Sequence, residues 1–509
     1  MHDHFILTNV NGIAMDEADT RFASVAVENG RILRVGSETD MASLVEAGWP
    51  VRDMNGSTLL PGFIDTHQHL GLTGQVLHGL DFSEDTSLES IMEKVAVAAP
   101  DVPEGQWLFG FSFNELNLRE IRLPHRRGMD AACPDRPLMI VHSSWHLCAL
   151  NSRALALLDL PAGLPGMDMD GDGPTGVVRD PGILSHVVPK VSALTPTEVK
   201  LARFKEACRA AMKKGVTTLH CLEGGEFGPG DTRVVVEHQD ELPLHAIVWN
   251  QVMDIEETLE LGLPRIGGCI CADGAISAYT AAFLEPYANQ PGNCGTLNFT
   301  QERMDDFILQ AHKAGLQATI HCEADRAIEQ VLSAMEKALA AHPRDDHRHR
   351  IEHCEVPTDD QLHRMARAGI IAAVQPAFFP YLMSNMEDYE RRLGPERVRR
   401  IQPYRAFLDA GVKMCGGSDC PITPYAPLEG VQAAVMHPVE TERLTVVEAL
   451  RLFTIDAAYA GFEERERGSI EPGKIADFAV LADDPTHVAL EDIGSIKVEA
   501  VFVAGQPVR

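Results

Sequence analysis

The stretch Leu59–Leu72, "LLPGFIDTHQHLGL", decides how the rest of the chain is read. It is an apolar run that ends in two histidines, His67 and His69, one residue apart. In a strand, side chains at i and i+2 share a face, so both imidazoles point the same way and form a chelating pair. A strand carrying a chelate at its end calls for further strands that bring the remaining ligands to the same place.

Such segments recur. "LQATIH" ends in His321, "RHRIEH" in His353 and "VKMCGGSD" reaches Asp419. Transition metals favour imidazole with carboxylate, and a catalytic site keeps a position for water. A lone histidine at a strand end is usually structural or solvated. Several strand ends carrying such groups together point to a metal.

The texture between 61 and 465 agrees. Helical patterns followed by glycine and a short apolar run recur, as in "MDDFILQAHKAG" before "LQATIHCEAD" and "TDDQLHRMARA" before "GIIAAVQP". About eight such βα units close a (β/α)8 barrel of the α/β class, with its chemistry at the C-terminal strand ends. Residues 1–60 and 466–509 read instead as short strands punctuated by Asn-Gly and Gly turns, and neither end has enough strands for a core alone. The two ends are therefore expected to pair into one small composite β-sandwich. The stretch from about 80 to 200 breaks the βα rhythm and is expected to be a lid-like insertion over the barrel mouth. Within it "DMDGDG" superficially resembles a calcium loop, but the twelfth position from Asp168 is Arg179 instead of a bidentate glutamate, so a turn is the better reading.

Bulk properties bound the function. A chain of 509 residues is longer than one core usually serves. Hydrophobic content of 45% and charged content of 23% are those of a globular protein. A net charge of -30 repels phosphate backbones and anionic lipid, which argues against nucleic-acid and membrane-surface partners. Eleven cysteines lack framework spacing, no run approaches eighteen apolar residues, and "MHDHFILTNVNG" has no basic segment leading an apolar one. The expectation is a reduced, cytoplasmic protein.

With these motifs assembled, the chain resembles the amidohydrolase superfamily, in its amidohydrolase family 3 branch. The resemblance rests on "LLPGFIDTHQHL", "GPTGVVRD", "GVTTLH", "CADGAISAYTAA", "HCEADRAIEQ", "RHRIEHCE", "GVKMCGGSDCPI" and "GSIEPGKIADFAVL", in the family's order over nearly the whole length. It implies a (β/α)8 TIM barrel flanked by a composite sandwich. It also implies that His67, His69, His321, His353 and Asp419 are metal ligands or catalytic neighbours, with Asp419 relaying a proton from a metal-activated hydroxide to the leaving group. The metal implied is divalent, of zinc type, as one or two ions; relatives are frequently homo-oligomers.

One position departs from the family. Where relatives have a lysine four residues before the aspartate of the fourth-strand "DG", this chain has Cys269, and no lysine occurs in "LPRIGGCICADGAISAY". Three arrangements stay open: a Cys269 thiolate bridging two ions, a carboxylate such as Glu223 bridging instead, or a single ion with Cys269 merely packing. Cys271 shares a face with Cys269. Asp325 either orients His321 or sits as a helix-start carboxylate, and Asp273 organises the fourth-strand turn. Trp145 and His146, with Phe378, Phe379 and Tyr381, are candidates for an apolar pocket or for core. The reaction expected is hydrolysis of a non-peptide C–N bond in an amide, formamide, carbamate or lactam. The rivals are a mononuclear deaminase of a heterocycle, for which Glu323 lies two residues past His321 although the deaminase pattern expects its glutamate farther along, and a non-catalytic scaffold.

Overall fold

The computed structural model of the chain describes residues 4–161 and 163–508; Met1–Asp3 and Arg509, at the outer ends of the expected sandwich, lie outside them. Eight parallel strands form the central sheet: β1 Phe63–Gln68, β2 Val216–Glu223, β3 His245–Asn250, β4 Arg265–Cys271, β5 Gln317–Ala324, β6 Arg350–Val356, β7 Ile371–Val374 and β8 Met414–Gly416. They lie side by side in chain order from β1 to β8. Closure comes beyond the last strand: the Asp419 amide donates to the His67 carbonyl (2.7 Å), the His69 amide donates to the Cys420 carbonyl (2.9 Å), and Gln68 bridges Cys420 in parallel. This is a TIM barrel, and its closing seam runs through both ends of the candidate ligand set.

Local sequence explains the helices around it. Gln301–Lys313 starts where the Thr300 side chain accepts from the Arg303 amide, and it buries Met304, Phe307, Ile308 and Ala311 as one stripe. Asp359–Ala368 opens on a capping box of Thr358 and Gln361 and stops at Gly369, whose φ of 68° is left-handed. Each large apolar residue of these stripes contributes about 1.5–3 kcal/mol by leaving water.

Both chain ends share one sheet. Thr58–Pro61 pairs antiparallel with Phe478–Leu481, Leu60 opposite Ala479, in a six-stranded sheet that also holds Asn11–Ile13 and Val498–Val503. A four-stranded sheet of N-terminal strands packs on it through Leu7, Val25, Ile32, Leu59, Phe478 and Phe502. Phe478 and Phe502 from the C-terminal end are thus covered by Leu7, Val25 and Ile32 from the first sixty residues, which makes the sandwich composite.

The chain divides into two compact units, one of residues 1–69, 208–222 and 239–509, the other of 70–207 and 223–238. The second unit is built on its own six-stranded mixed sheet, to which Leu108–Phe113 and Leu138–His142 contribute neighbouring parallel strands. Alternate residues of these strands enter two cores: Leu108, Phe113, Leu138 and Ile140 on one face, Phe109, Phe111, Met139 and Val141 on the other. A sheet buried on both faces reads as an unbroken apolar run, which is why the helical rhythm is lost here. Asp168–Gly173 lies in the hairpin of Met167–Asp170 and Gly173–Arg179, and Arg179 pairs with Asp168 at 3.1 Å.

Candidate metal centre

At the C-terminal end of the barrel, β1 delivers His67, the residue just past its end is His69, β4 delivers Cys269, and the loop after β8 Asp419. One ligand atom of each lies within 4.8 Å of all the others, and among the described residues this is the group of histidine, cysteine and carboxylate side chains placed to hold one ion. His67 Nε2 is 3.2 Å from Cys269 Sγ and 3.3 Å from Asp419 Oδ1; His69 Nε2 is 3.5 Å and 3.2 Å from the same atoms. Tetrahedral coordination at zinc-like bond lengths separates nitrogen from oxygen by ~3.3 Å and nitrogen from sulfur by ~3.6 Å, so each histidine already stands about as far from Cys269 and Asp419 as ligands of one ion do.

The outward nitrogens fix which way the rings face. His67 Nδ1 meets Glu352 Oε2 (2.6 Å), His69 Nδ1 meets the Leu222 carbonyl (2.9 Å) and His353 Nδ1 meets Gln375 Oε1 (2.8 Å). A ring that donates from Nδ1 presents a lone pair at Nε2, the arrangement typical of metal-bound histidine. His353 Nε2 and Asp419 Oδ1 are buried with no hydrogen-bond partner. The donors therefore fit a divalent cation.

Electrostatics say the same. Burial opposes charge on His67 and His69, yet Cys269 and Asp419 beside them carry both rings well above their ordinary range. Burial likewise opposes a thiolate at Cys269, but those two imidazoles hold its thiol well below the usual value. Burial also works against ionised Asp419, and His67 and His69 keep it far below the carboxylate range. Two residues along β4, Cys271 is pushed the other way by burial and by Cys269, and its Sγ donates to the Cys269 carbonyl (3.4 Å). A thiolate and a carboxylate thus stand against imidazoles that hold protons, and a cation entering the group would take the place of those protons.

Backbone geometry aims the groups. Gly267 and Gly268 precede Cys269 with φ of 101° and 134°, and a Cβ on Gly267 would fall 1.9 Å from the Thr319 carbonyl of β5. Glycine there lets β4 approach β5, while the Cys269 amide is held by Gln251 Oε1 at 3.0 Å. His353 (66°), Cys354 (49°) and Asp419 (57°) have left-handed φ, a conformation that costs about 1–3 kcal/mol for non-glycine residues and clusters at functional sites. On β6 it breaks the alternation, so that Glu352 faces into the barrel while His353 still reaches the centre.

The other expected residues divide. His321 packs its ring 4.4 Å from that of His353, with Nδ1 3.5 Å from Asp273 Oδ1; burial opposes its charge, yet Asp273 carries it up to about 9. Asp273 thus faces His321, and it also accepts from the Ala282, Glu323 and Ala324 amides. Asp325 does not orient His321. It starts the helix Asp325–Ala341 and accepts from the Leu284 amide at 2.8 Å, so the helix-start role left open by the sequence is the one observed. Glu223 is bonded by the Leu70 and Gly71 amides and stands outside the four-residue group. Glu323 accepts from the Ile276 amide at 2.6 Å.

Phe378 stacks on His353 at 5.9 Å, whereas Phe379 packs edge-on against His437 (4.5 Å) and Tyr404, as core. Tyr381 donates to Glu429 at 2.6 Å. His146 is exposed and pairs with Asp180 at 2.7 Å. Trp145 packs on Phe111 at 5.6 Å in the second unit.

Glu352 and Gln375 were missed from sequence. Glu352 is wholly buried against Arg350 (2.7 Å), whose guanidinium also donates to the Thr66 carbonyl and to His220 Nδ1. Opposite charges at i and i+2 of one strand, Arg350 and Glu352 in "RIEHCEV", were the available signal, since such residues are almost never fully buried unless paired.

A family profile described as "Amidohydrolase family" matches residues 50–509. YtcJ of Bacillus subtilis (strain 168) is 30% identical, over 99% of this chain and 98% of its own. An N-substituted formamide deformylase of Arthrobacter pascens is 28% identical, over 99% and 98%. A crystal structure of a metal-dependent hydrolase from Pyrococcus furiosus superposes with a TM-score of 0.79 at 24% identity, covering 95% of this chain and all of that one, a likeness of fold. Among the described residues no helix is long and apolar enough to cross a membrane, and none of the eleven cysteines is in a disulfide.

Proposed function

The chain belongs to the amidohydrolase family, and from that premise we propose that it hydrolyses a C–N bond outside the peptide backbone in a small molecule, at a divalent metal of zinc type held by His67, His69, Cys269 and Asp419. The observation that carries this reading is the Cys269 sulfur, 3.2 Å and 3.5 Å from two histidine nitrogens and held toward thiolate by them. Zinc accepts sulfur, nitrogen and carboxylate together. His321 and His353 complete the rim, as ligands of a second ion or as partners of the substrate.

A bound ion would supply Lewis acidity, making water a nucleophile near neutral pH. The protein's own groups do the rest. Glu352, Leu222 and Gln375 hold three rings by their outer nitrogens, so that Nε2 of His67, His69 and His353 stays turned inward. Asp419 is buried and held ionised by His67 and His69, whose Nε2 atoms lie 3.3 Å and 3.2 Å from its Oδ1, and it is placed to take a proton from the attacking water and return it to the departing amine. The buried walls keep competing water away from the carboxylate. N-substituted formamides, the substrate class in the name of the Arthrobacter relative, are the first substrates to try.

The test is elemental analysis of purified wild type and Cys269→Ser, with amine release from N-benzylformamide assayed in parallel. The reading expects bound zinc in the wild type, less in the variant, and amine release that follows metal content. Equal metal in both proteins would remove Cys269 from the ligand set. A wild-type protein without stoichiometric metal would overturn the proposal itself.

A further inference from the structure

The second unit holds a cavity of ≈ 80 Å³, none of whose lining residues belongs to the candidate metal centre. One water needs only about 10–15 Å³ of such space, so this one is large enough for part of an organic molecule. Its wall is chiefly Phe111, Met139, Trp145, Val188 and Phe204, aromatic and aliphatic side chains that suit an apolar body.

Three charged residues also line it: Lys200, Arg203 and Asp231. Lys200 Nζ lies 2.7 Å from Asp231 Oδ1 and 2.6 Å from Ser192 Oγ, so the ammonium and the carboxylate satisfy each other. Arg203 is different. It is half-buried, with its guanidinium 5.3 Å from the Phe109 ring centroid, and it has no hydrogen bond from its side chain and no ion pair within 4 Å among the described residues. Burial presses its pKa down, opposed only by the more distant Asp231. Two cations and one anion leave the wall with one positive charge, on a donor group shaped to take a carboxylate bidentately.

We propose that this cavity binds a small monoanion with an apolar body, a single-ring or short-chain carboxylate, its carboxylate on Arg203 and its body against Phe111, Trp145 and Val188. A cation would meet Arg203 and Lys200, and a neutral apolar molecule would leave the guanidinium without an acceptor. The inference does not depend on the reading of the metal centre.

Calorimetric titration of the full-length protein tests it, with phenylacetate, 2-phenylethanol and acetate as probes. Phenylacetate is expected to bind, and the neutral alcohol and the body-less acetate to bind about tenfold more weakly or worse. Arg203→Gln should weaken phenylacetate by about tenfold or more, as loss of a charge-assisted hydrogen bond does. Val188→Trp fills the cavity and should abolish binding while metal content stays at the wild-type level. Absence of phenylacetate binding up to about 10 mM overturns the proposal. So does equal binding of acid and alcohol. Binding that survives Val188→Trp also overturns it, because the carboxylate is then held elsewhere, the metal centre included. If Arg203→Gln does not fold, the probe comparison on wild type and the Val188→Trp result decide.

Discussion

Histidines crowd both ends of this barrel, and the two crowds are wired in opposite senses. Before β5 and β6, His312, His347 and His349 form one cluster: His312 Nε2 donates to the His342 carbonyl (2.6 Å), and its Nδ1 meets His349 Nε2 (2.9 Å). His349 Nδ1 accepts the Ala318 amide (2.9 Å), while His347 donates to the Ala368 carbonyl and accepts the His349 amide. All six ring nitrogens have a protein partner. After β1 and β6, His67, His69 and His353 use their outer nitrogens on the protein and turn the inner ones toward Cys269 and Asp419, where orphaned atoms remain. Composition alone makes the clusters look alike. The direction of their lone pairs separates a structural network from a metal-binding one.

The sharpest way to break that distinction is at Asp419. Asp419→Asn removes the proton acceptor and one of the four proposed ligands, so turnover of any substrate should fall by roughly 10²–10⁴; unchanged turnover would remove Asp419 from proton transfer. Glu352→Gln comes next. It leaves Arg350 as an uncompensated buried charge, costing about 3–5 kcal/mol in urea unfolding, and it loosens His67, lowering zinc affinity by roughly 10–100-fold. A stability loss without an affinity loss would make Glu352 a partner of Arg350 alone.

At the other end, His349→Phe should cost about 2–4 kcal/mol, because the Ala318 amide and His312 Nδ1 both lose a buried partner, with metal content unchanged. A fall in metal would show that the clusters are coupled. The smallest effect is in pH. Burial first, and neighbouring cations second, hold His349 well below its ordinary 6.5. As pH falls below about 6.5, the unfolded chain takes up a proton that the folded chain refuses, and stability is lost. His349→Phe lacks that contribution, so its deficit against wild type should narrow between pH 7.5 and 5.5, read from urea midpoints; a constant gap would mean that His349 is charged in the folded protein.

Much of the architecture could be read in advance. Glycine-terminated helices before short apolar runs announced βα units, and the β-rich ends announced a shared sheet, because neither end could cover its own apolar face. The unit of 70–207 and 223–238 was least readable, since its strands bury both faces and so lose the alternation by which strands are recognised. Asp325 could not be assigned from sequence either. A carboxylate after a strand serves a helix start and a histidine equally well until the fold brings Asp273, fifty-two residues earlier in the chain, to His321.

What the sequence determined by itself is local and periodic. The i, i+2 spacing of His67 and His69 set both rings on one face, and the family's motifs fixed the order of the strands that carry the other groups. Only the tertiary structure decided what those groups are to one another. Whether Cys269 is a packed thiol or a thiolate depends on two imidazoles two hundred residues away in sequence and 3.2–3.5 Å away in space. Cys271, the same residue type on the same strand, is driven the other way by its own surroundings. Protonation and ligand geometry follow from fields and contacts across the barrel, and barrel closure alone brings those contacts into being.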